Sequence, residues 1–210
     1  LAHRYRFAHL RFVASVGEPL NPEAVWWGQE ALGLPIHDNW WQTETGGIMI
    51  ANTLSRDVKP GSMGRPLPGV EACVVERLPD GGVRVVDAPG TEGELALRRG
   101  WPSMFRGYLN DDERYRKCFV DGWYLTGDIA RIDADGFIFI TDRVSRFSKV
   151  AGEMVPHVRI EDEINAILGE AASVVTAVPD QSKGERLIAF YSRPDITPGV
   201  LWDRLSATAL

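Results

Sequence analysis

The sequence predicts an α/β architecture carrying a small antiparallel β unit, followed by a small α+β domain. Three observations predict it. A β-rich run ending in glycine, LRFVASVG (10–17), is followed at once by a helical pattern, NPEAVWWGQEALG (21–33), and strand-then-helix order is an α/β signal. Two stretches between about 60 and 142 read as hairpins. After Arg143 the texture changes again, which sets the expected division at 1–142 and 143–210.

Each element has a local reason. Asn21 can cap the first helix, Pro22 suits its first position, and Gly33 suits its stop. DNWWQTETGG (38–47) neither alternates like a strand nor repeats like a helix face, and reads as an irregular loop. VEACVVERL and VRVVDA flank PDGG as the first hairpin. GELALRR (93–99) is a further strand, with GWPSM as a break after it. DDERYRK (111–117) is a short charged helix, and WYLTGDIARID and FIFITDR flank ADG (134–136) as the second hairpin. RFSKVAGEMV is a glycine-broken turn or hairpin. VRIEDEINAIL (158–168) sets Ile160, Ile164, Ile167 and Leu168 on one helical face. SVVTAVPD and RLIAFYSR read as strands and ITPGVLWDRLSATAL as a helix.

Composition narrows the classes. Hydrophobic residues make up 44% and charged residues 25%, which is the balance of a soluble globular protein. A net charge of -6 does not favour nucleic acid as a partner. No apolar run reaches the roughly 18–20 residues that span a bilayer. The opening LAHRYRFAHL is charged throughout and is no secretory signal. Cys73 and Cys118 lie far apart without metal-ligand spacing, so they read as packing thiols in a reducing, cytoplasmic setting. The first residue is Leu1, and Leu210 ends an amphipathic stretch, which suggests a piece of a longer chain.

Four clusters carry chemical potential. VGEPL (16–20) exposes backbone groups at a strand end that could meet a planar ring; its plainer reading is a strand-to-helix turn. In DNWWQTETGG, Thr43 offers a hydroxyl to a phosphate and Glu44 is a hard oxygen ligand suited to Mg²⁺, whereas the plainer reading is a tryptophan-plugged turn. Asp128 in GWYLTGD (122–128) could accept two hydrogen bonds from a ribose diol, or be a turn acid. TDRVSRFSKVAGEMV (141–155) brings the forked cation of Arg143 and the slim backbone of Gly152, or is a basic surface loop.

The order and spacing of these clusters matter more than any one of them. With SVGEPLNPEAVWWG, DNWWQTETGG, KPGSMGRPLPGVEA, GWPSM and DGWYLTGD, the chain resembles the adenylate-forming (AMP-binding) superfamily, in its acetyl-CoA synthetase and medium-chain acyl-CoA synthetase branches. The resemblance covers almost the whole chain. It implies the two-domain adenylate-forming fold, with 1–142 as the C-terminal part of the large domain and 143–210 as the start of a small mobile domain. It implies activation of a short carboxylate with ATP and Mg²⁺ to an acyl-adenylate, followed by transfer to CoA. By similarity, Gly17, Glu18 and Pro19 line the adenine, with Asp38 and Asn39 on its other side. Thr43 touches phosphate, Glu44 binds Mg²⁺, and Asp128 and Arg143 hold the ribose. Trp41 and Val16 wall the acyl pocket, favouring acetate or propionate over a fatty acid, Ser145 occupies the hinge position, and Gly152 admits the pantetheine arm. Trp40, Gln42 and Thr45 keep a packing-and-turn role.

Departures from the family pattern qualify this. The upstream glycine-rich phosphate loop and the catalytic lysine near the family's C-terminus are not among these residues. The hinge position, usually Asp or Lys, is Ser145, and Met154 stands where an arginine is expected. RFSKVAGEMV looks more like the acyl-carrier-protein synthetase branch, so the thiol acceptor is either free CoA or the same arm on a carrier protein. A catalytically inactive, nucleotide-binding remnant is the reading from a different class. The 210-residue segment expressed alone is expected to give negligible acetate-dependent exchange of pyrophosphate into ATP; robust exchange overturns that expectation.

Overall fold

The computed structural model describes residues 4–150, 153–180, 182 and 184–208, and within these the side chains of 145, 149, 153 and 154 are left aside. The chain divides into two compact units, Leu1–Thr141 and Asp142–Leu210.

The first unit opens with a strand–helix–strand motif. β1 (Val13–Ser15) and β2 (Ile36–Trp40) are parallel neighbours, with Val13 opposite Ile36 and Ser15 opposite Asp38. α1 (Pro22–Leu32) connects them and buries Val25 and Gly28. The side chain of Asn21 accepts the Glu23 N–H at its start, and Gly33 ends it in the left-handed region, as the capping pattern predicts. The expected strand over 10–17 shrinks to three residues, because only those have a partner in β2.

The expected irregular loop at 38–47 is corrected at its front. Asp38, Asn39 and Trp40 are the end of β2, and Thr43–Thr45 form a single 3₁₀ turn. The burial pattern explains the misreading: residues 37–40 are all buried, so a strand covered on both faces has no alternation to show. β3 (Ile50–Ala51) pairs antiparallel with β2, and β4 (Arg65–Pro66) pairs with β3. The first sheet therefore runs β1-β2-β3-β4. Ile50, fully buried, and the bond from Leu67 N to Met49 O (2.8 Å) hold β4 there.

The second sheet is antiparallel. It contains β5 (Ala72–Arg77), β6 (Val83–Val85), β7 (Glu92–Arg98), β8 (Phe119–Val120), β9 (Trp123–Ile132) and β10 (Ile138–Arg143), in the order β10-β9-β7-β5-β6 with β8 on β9. Both hairpins read from the sequence are present. α2 (Asp112–Lys117) is capped by Asp111, whose side chain accepts the Arg114 N–H. A bridge between Gly64 and Ile138 joins the two sheets, and one core spans them: Trp40, Ile50, Leu95, Leu97, Trp101, Tyr124 and Ile138.

The second unit holds a four-stranded antiparallel sheet. Its strands are β11 (Phe147–Val150), β12 (Glu153–Pro156), β13 (Ser173–Asp180) and β14 (Gly184–Tyr191), ordered β12-β11-β14-β13. The β11–β12 pair is the hairpin alternative for RFSKVAGEMV. α3 (His157–Leu168) and α4 (Pro198–Leu205) pack a core of Ile164, Leu168, Val175 and Leu201, with Ile160 and Ile167 at its edge. This is the apolar face read from the helix period. Among the described residues no helix is long and apolar enough to cross a membrane.

Leu95 has no exposed surface in the shared core. Leu95→Ala is expected to destabilise the first unit by roughly 2–5 kcal/mol, read as an earlier urea midpoint in the fluorescence of the buried Trp40, Trp101 and Trp123.

Candidate functional site

The site is built where two neighbouring parallel strands end. β1 delivers Val16, Gly17, Glu18 and Pro19, and β2 delivers Trp41, Gln42, Thr43 and Glu44. Ligands of open α/β sheets bind outside the carboxyl ends of their strands. Gly17 has φ +112°, which a side chain rarely tolerates, and a Cβ there meets no atom within 4 Å, so the turn faces open space. Val16 and Trp41 are large apolar groups that are 54% and 44% exposed.

Asp38 holds the first turn from behind. Its Oδ2 accepts Leu20 N (2.8 Å) and its Oδ1 accepts Asn39 N (3.0 Å). Burial pushes its carboxyl above the usual range, and the two backbone bonds pull against that. The expectation that Asp38 itself faces adenine meets a side chain turned inward to backbone. Asn39 is placed differently. Its Nδ2 donates to Ser15 O (2.7 Å), while its buried Oδ1 has no hydrogen-bond partner among the described residues. An unsatisfied buried acceptor is costly and calls for a donor. It stands beside the end of β1 as an acceptor open to an N–H or O–H donor.

Trp40, Gln42 and Thr45, assigned by sequence to packing and turn, have sharper tasks. Trp40 Nε1 donates to Asp128 Oδ2 (2.8 Å), and Gln42 Nε2 donates to the same oxygen (3.1 Å) and to Thr126 O (2.9 Å). Tyr124 donates its hydroxyl to Gln42 Oε1 (2.9 Å). Thr45 is fully buried. Its hydroxyl accepts Gln42 N–H at 3.0 Å and lies within donating distance of Gln42 O (2.7 Å) and Gly47 O (2.8 Å).

Asp128 is positioned from its own side as well. The Thr126 hydroxyl accepts Asp128 N–H (3.1 Å) and donates to Leu95 O (2.8 Å). Glu94 accepts Gly127 N–H at 3.0 Å, and the Arg77 fork binds its two oxygens at 2.6 and 3.0 Å. The register of β7 against β9 shifts between Glu94 and Ala96, a bulge beside the site.

A loop at 100–108 clamps the Thr43–Thr45 turn. Trp101 Nε1 (3.0 Å) and the Ser103 hydroxyl (2.6 Å) both donate to Thr45 O, and Phe105 N donates to Glu44 O (3.0 Å). Gly46 has φ +66° and a Cβ there would lie 2.3 Å from Ser103 O, so only glycine allows this approach. The Tyr108 hydroxyl donates to Glu44 Oε1 (2.7 Å). Burial, and then that bond, push the Tyr108 phenol upward, so it stays a neutral donor. GWPSM reads in the sequence as a break and as one of the family-like motifs, without a role at the TETGG turn, and Tyr108 carries no sequence signal at all; the placing of both against that turn is set by tertiary contact.

The structure thus brings Thr43, Glu44 and Asp128 together through Gln42 and Trp40, beside Asn39 and the Gly17–Pro19 turn. Arg143 ends β10, past the division of the chain after Thr141, and its N–H donates to Asp142 Oδ1 (2.7 Å); Ser145 follows in the second unit, and Gly152 lies outside the described residues. Among the described residues no three His, Cys, Asp or Glu side chains gather as a metal cluster. A hard cation at Glu44 would draw its other ligands from phosphates and water, the usual arrangement for Mg²⁺ with a nucleotide.

This constellation lies at the strand ends of an α/β fold, the place where such folds bind ligands. A family model described as AMP-binding enzyme matches residues 1–109, and the chain belongs to that family. The acetyl-coenzyme A synthetase of Bacillus subtilis (strain 168) is 40% identical over 197 residues, covering 91% of this chain and 33% of its own length. That of Chlorobaculum tepidum is 40% identical over 200 residues, covering 91% and 29%. ATP-bound MatB from Rhodopseudomonas palustris superposes with a TM-score of 0.73 at 26% identity, covering 96% of this chain and 40% of that one. The anthranilate CoA ligase AuaEII in complex with anthranoyl-AMP gives 0.66 at 27% identity, covering 97% and 38%. The chain spans about a third of the length of the curated relatives it matches.

Trp40→Phe keeps an aromatic ring and removes one donor from a buried carboxylate. It is expected to cost about 1–3 kcal/mol of stability, measured by chemical denaturation; an unchanged midpoint contradicts the weight given to this bond.

Proposed function

We propose that the protein carrying this chain is an ATP-dependent, AMP-forming acetate–CoA ligase. One observation carries the reading: at the ends of two parallel strands, the turn bearing Thr43 and Glu44 is bonded through Gln42 and Trp40 to Asp128. The 40% identity to acetyl-coenzyme A synthetases supports it.

A carboxylate oxygen bonds to the α-phosphorus as the bond to pyrophosphate breaks. The CoA thiol then takes the acyl group and AMP leaves. Both partners of the first step are negative, so fixed donors must offset their repulsion. Mg²⁺, when bound at Glu44 and the nucleotide phosphates, supplies charge neutralisation. The Thr43 hydroxyl donates to a phosphate oxygen. Asn39 Oδ1 accepts from the adenine amino group, and the Gly17, Glu18 and Pro19 turn lies against the ring with Asp38 bracing it. Asp128 and Arg143 hold the ribose hydroxyls. Trp41 and Val16 shape an acyl pocket for a short chain. Gly152 admits the pantetheine arm, and Ser145 serves as hinge for a mobile second domain in a cytoplasmic enzyme. RFSKVAGEMV, with Met154 in place of an arginine, favours a carrier-protein thiol as the second reading of the acceptor.

The test is ATP–pyrophosphate exchange by the full-length protein on a series of acids. Acetate or propionate is expected to support exchange best, and Trp41→Gly is expected to move the preference to longer acids. Each methylene weighs about 1–3 kcal/mol in such a pocket. Native exchange on long-chain acids alone overturns the short-acid reading.

A further inference from the structure

We propose that Tyr108 is a positioning residue for the metal-binding carboxylate, engaging one oxygen of Glu44 and leaving the second for the cation. The inference rests on the reading of Glu44 as the Mg²⁺ ligand.

The geometry supports a built contact. The bond from the Tyr108 hydroxyl to Glu44 Oε1 is 2.7 Å, a length typical of a charge-assisted O–H donor. Tyr108 is itself held in place. The Arg114 guanidinium lies 4.2 Å from its ring centre, the Phe105 ring meets it edge-on at 5.3 Å, and Cys118 Sγ lies 3.8 Å from its hydroxyl. The same loop fixes the Glu44 main chain through Phe105 N. One short segment therefore grips Glu44 at both its backbone and its carboxylate.

The chemistry favours a phenol. A glutamate has several torsions between backbone and head group, and ligand carboxylates are oriented by hydrogen bonds of their own. A Lys or Arg in this place would neutralise Glu44 and repel the cation. Tyr108 orients the carboxylate without adding charge, and the cationic Arg114 rests against its ring.

The experiment is Mn²⁺ titration of the full-length protein by electron paramagnetic resonance, with α,β-methylene-ATP bound. Native protein is compared with Y108F, Y115F and E44Q. Tyr115 belongs to the same aromatic cluster, against Phe105 and Phe119, so Y115F controls for loss of a neighbouring hydroxyl. Y108F is expected to bind Mn²⁺ about tenfold more weakly, with unchanged affinity for the metal-free analogue, Y115F to match native protein, and E44Q to be weaker than Y108F. Native Mn²⁺ affinity in Y108F alongside weakened binding in E44Q overturns the role of Tyr108. Equal weakening in Y108F and Y115F also overturns it, as general loosening of the cluster. Native affinity in E44Q removes the metal reading beneath it.

Discussion

The rest of the first unit depends on how one buried carboxylate is solvated. Asp128 is 3% exposed, and a buried acid must find donors inside the protein. Trp40 and Gln42 give two to the same oxygen. Trp40 ends a strand of the parallel-edged sheet and Asp128 sits on the antiparallel one. The bonds add a side-chain tie between two sheets that the Gly64–Ile138 bridge and a shared core also join, and the Thr43–Thr45 turn follows directly from it. Glu94, locked by Arg77, secures the far side.

The donors described for the three acids of the site share one feature. The donors described for Asp38 are backbone amides, for Asp128 an indole and an amide, and for Glu44 a phenol. All are neutral. Neutral donors stabilise a carboxylate while leaving its net charge in place, whereas an ion pair cancels it. The strong ion pair nearby, Arg77 with Glu94, is one position removed, where it serves the backbone of Gly127.

Local signals were readable from the sequence. The Asn21 cap, the Gly33 stop, the two hairpins and the apolar face of α3 depend on residues close along the chain, and the structure has each of them. The order of the motif clusters pointed to the family that the comparisons then gave. What stayed hidden depends on distance. Trp40 and Gln42 meet Asp128 across 88 and 86 positions, and Tyr108 meets Glu44 across 64. No period or spacing rule reaches that far, so these side chains read as filler. β2 was missed for another reason: a strand buried on both faces has the texture of a loop rich in large residues.

The fit between Gly46 and Ser103 bears on how such proteins can be recombined. A backbone oxygen sits where any other residue's Cβ would fall, so the turn at 43–47 and the loop at 100–105 are shaped to each other at the level of main chain. Side-chain repacking cannot repair a mismatch there. Exchange of segments between related ligases should therefore move both stretches together, with junctions placed before the first or after the second. A junction between them pairs one parent's mould with the other parent's cast.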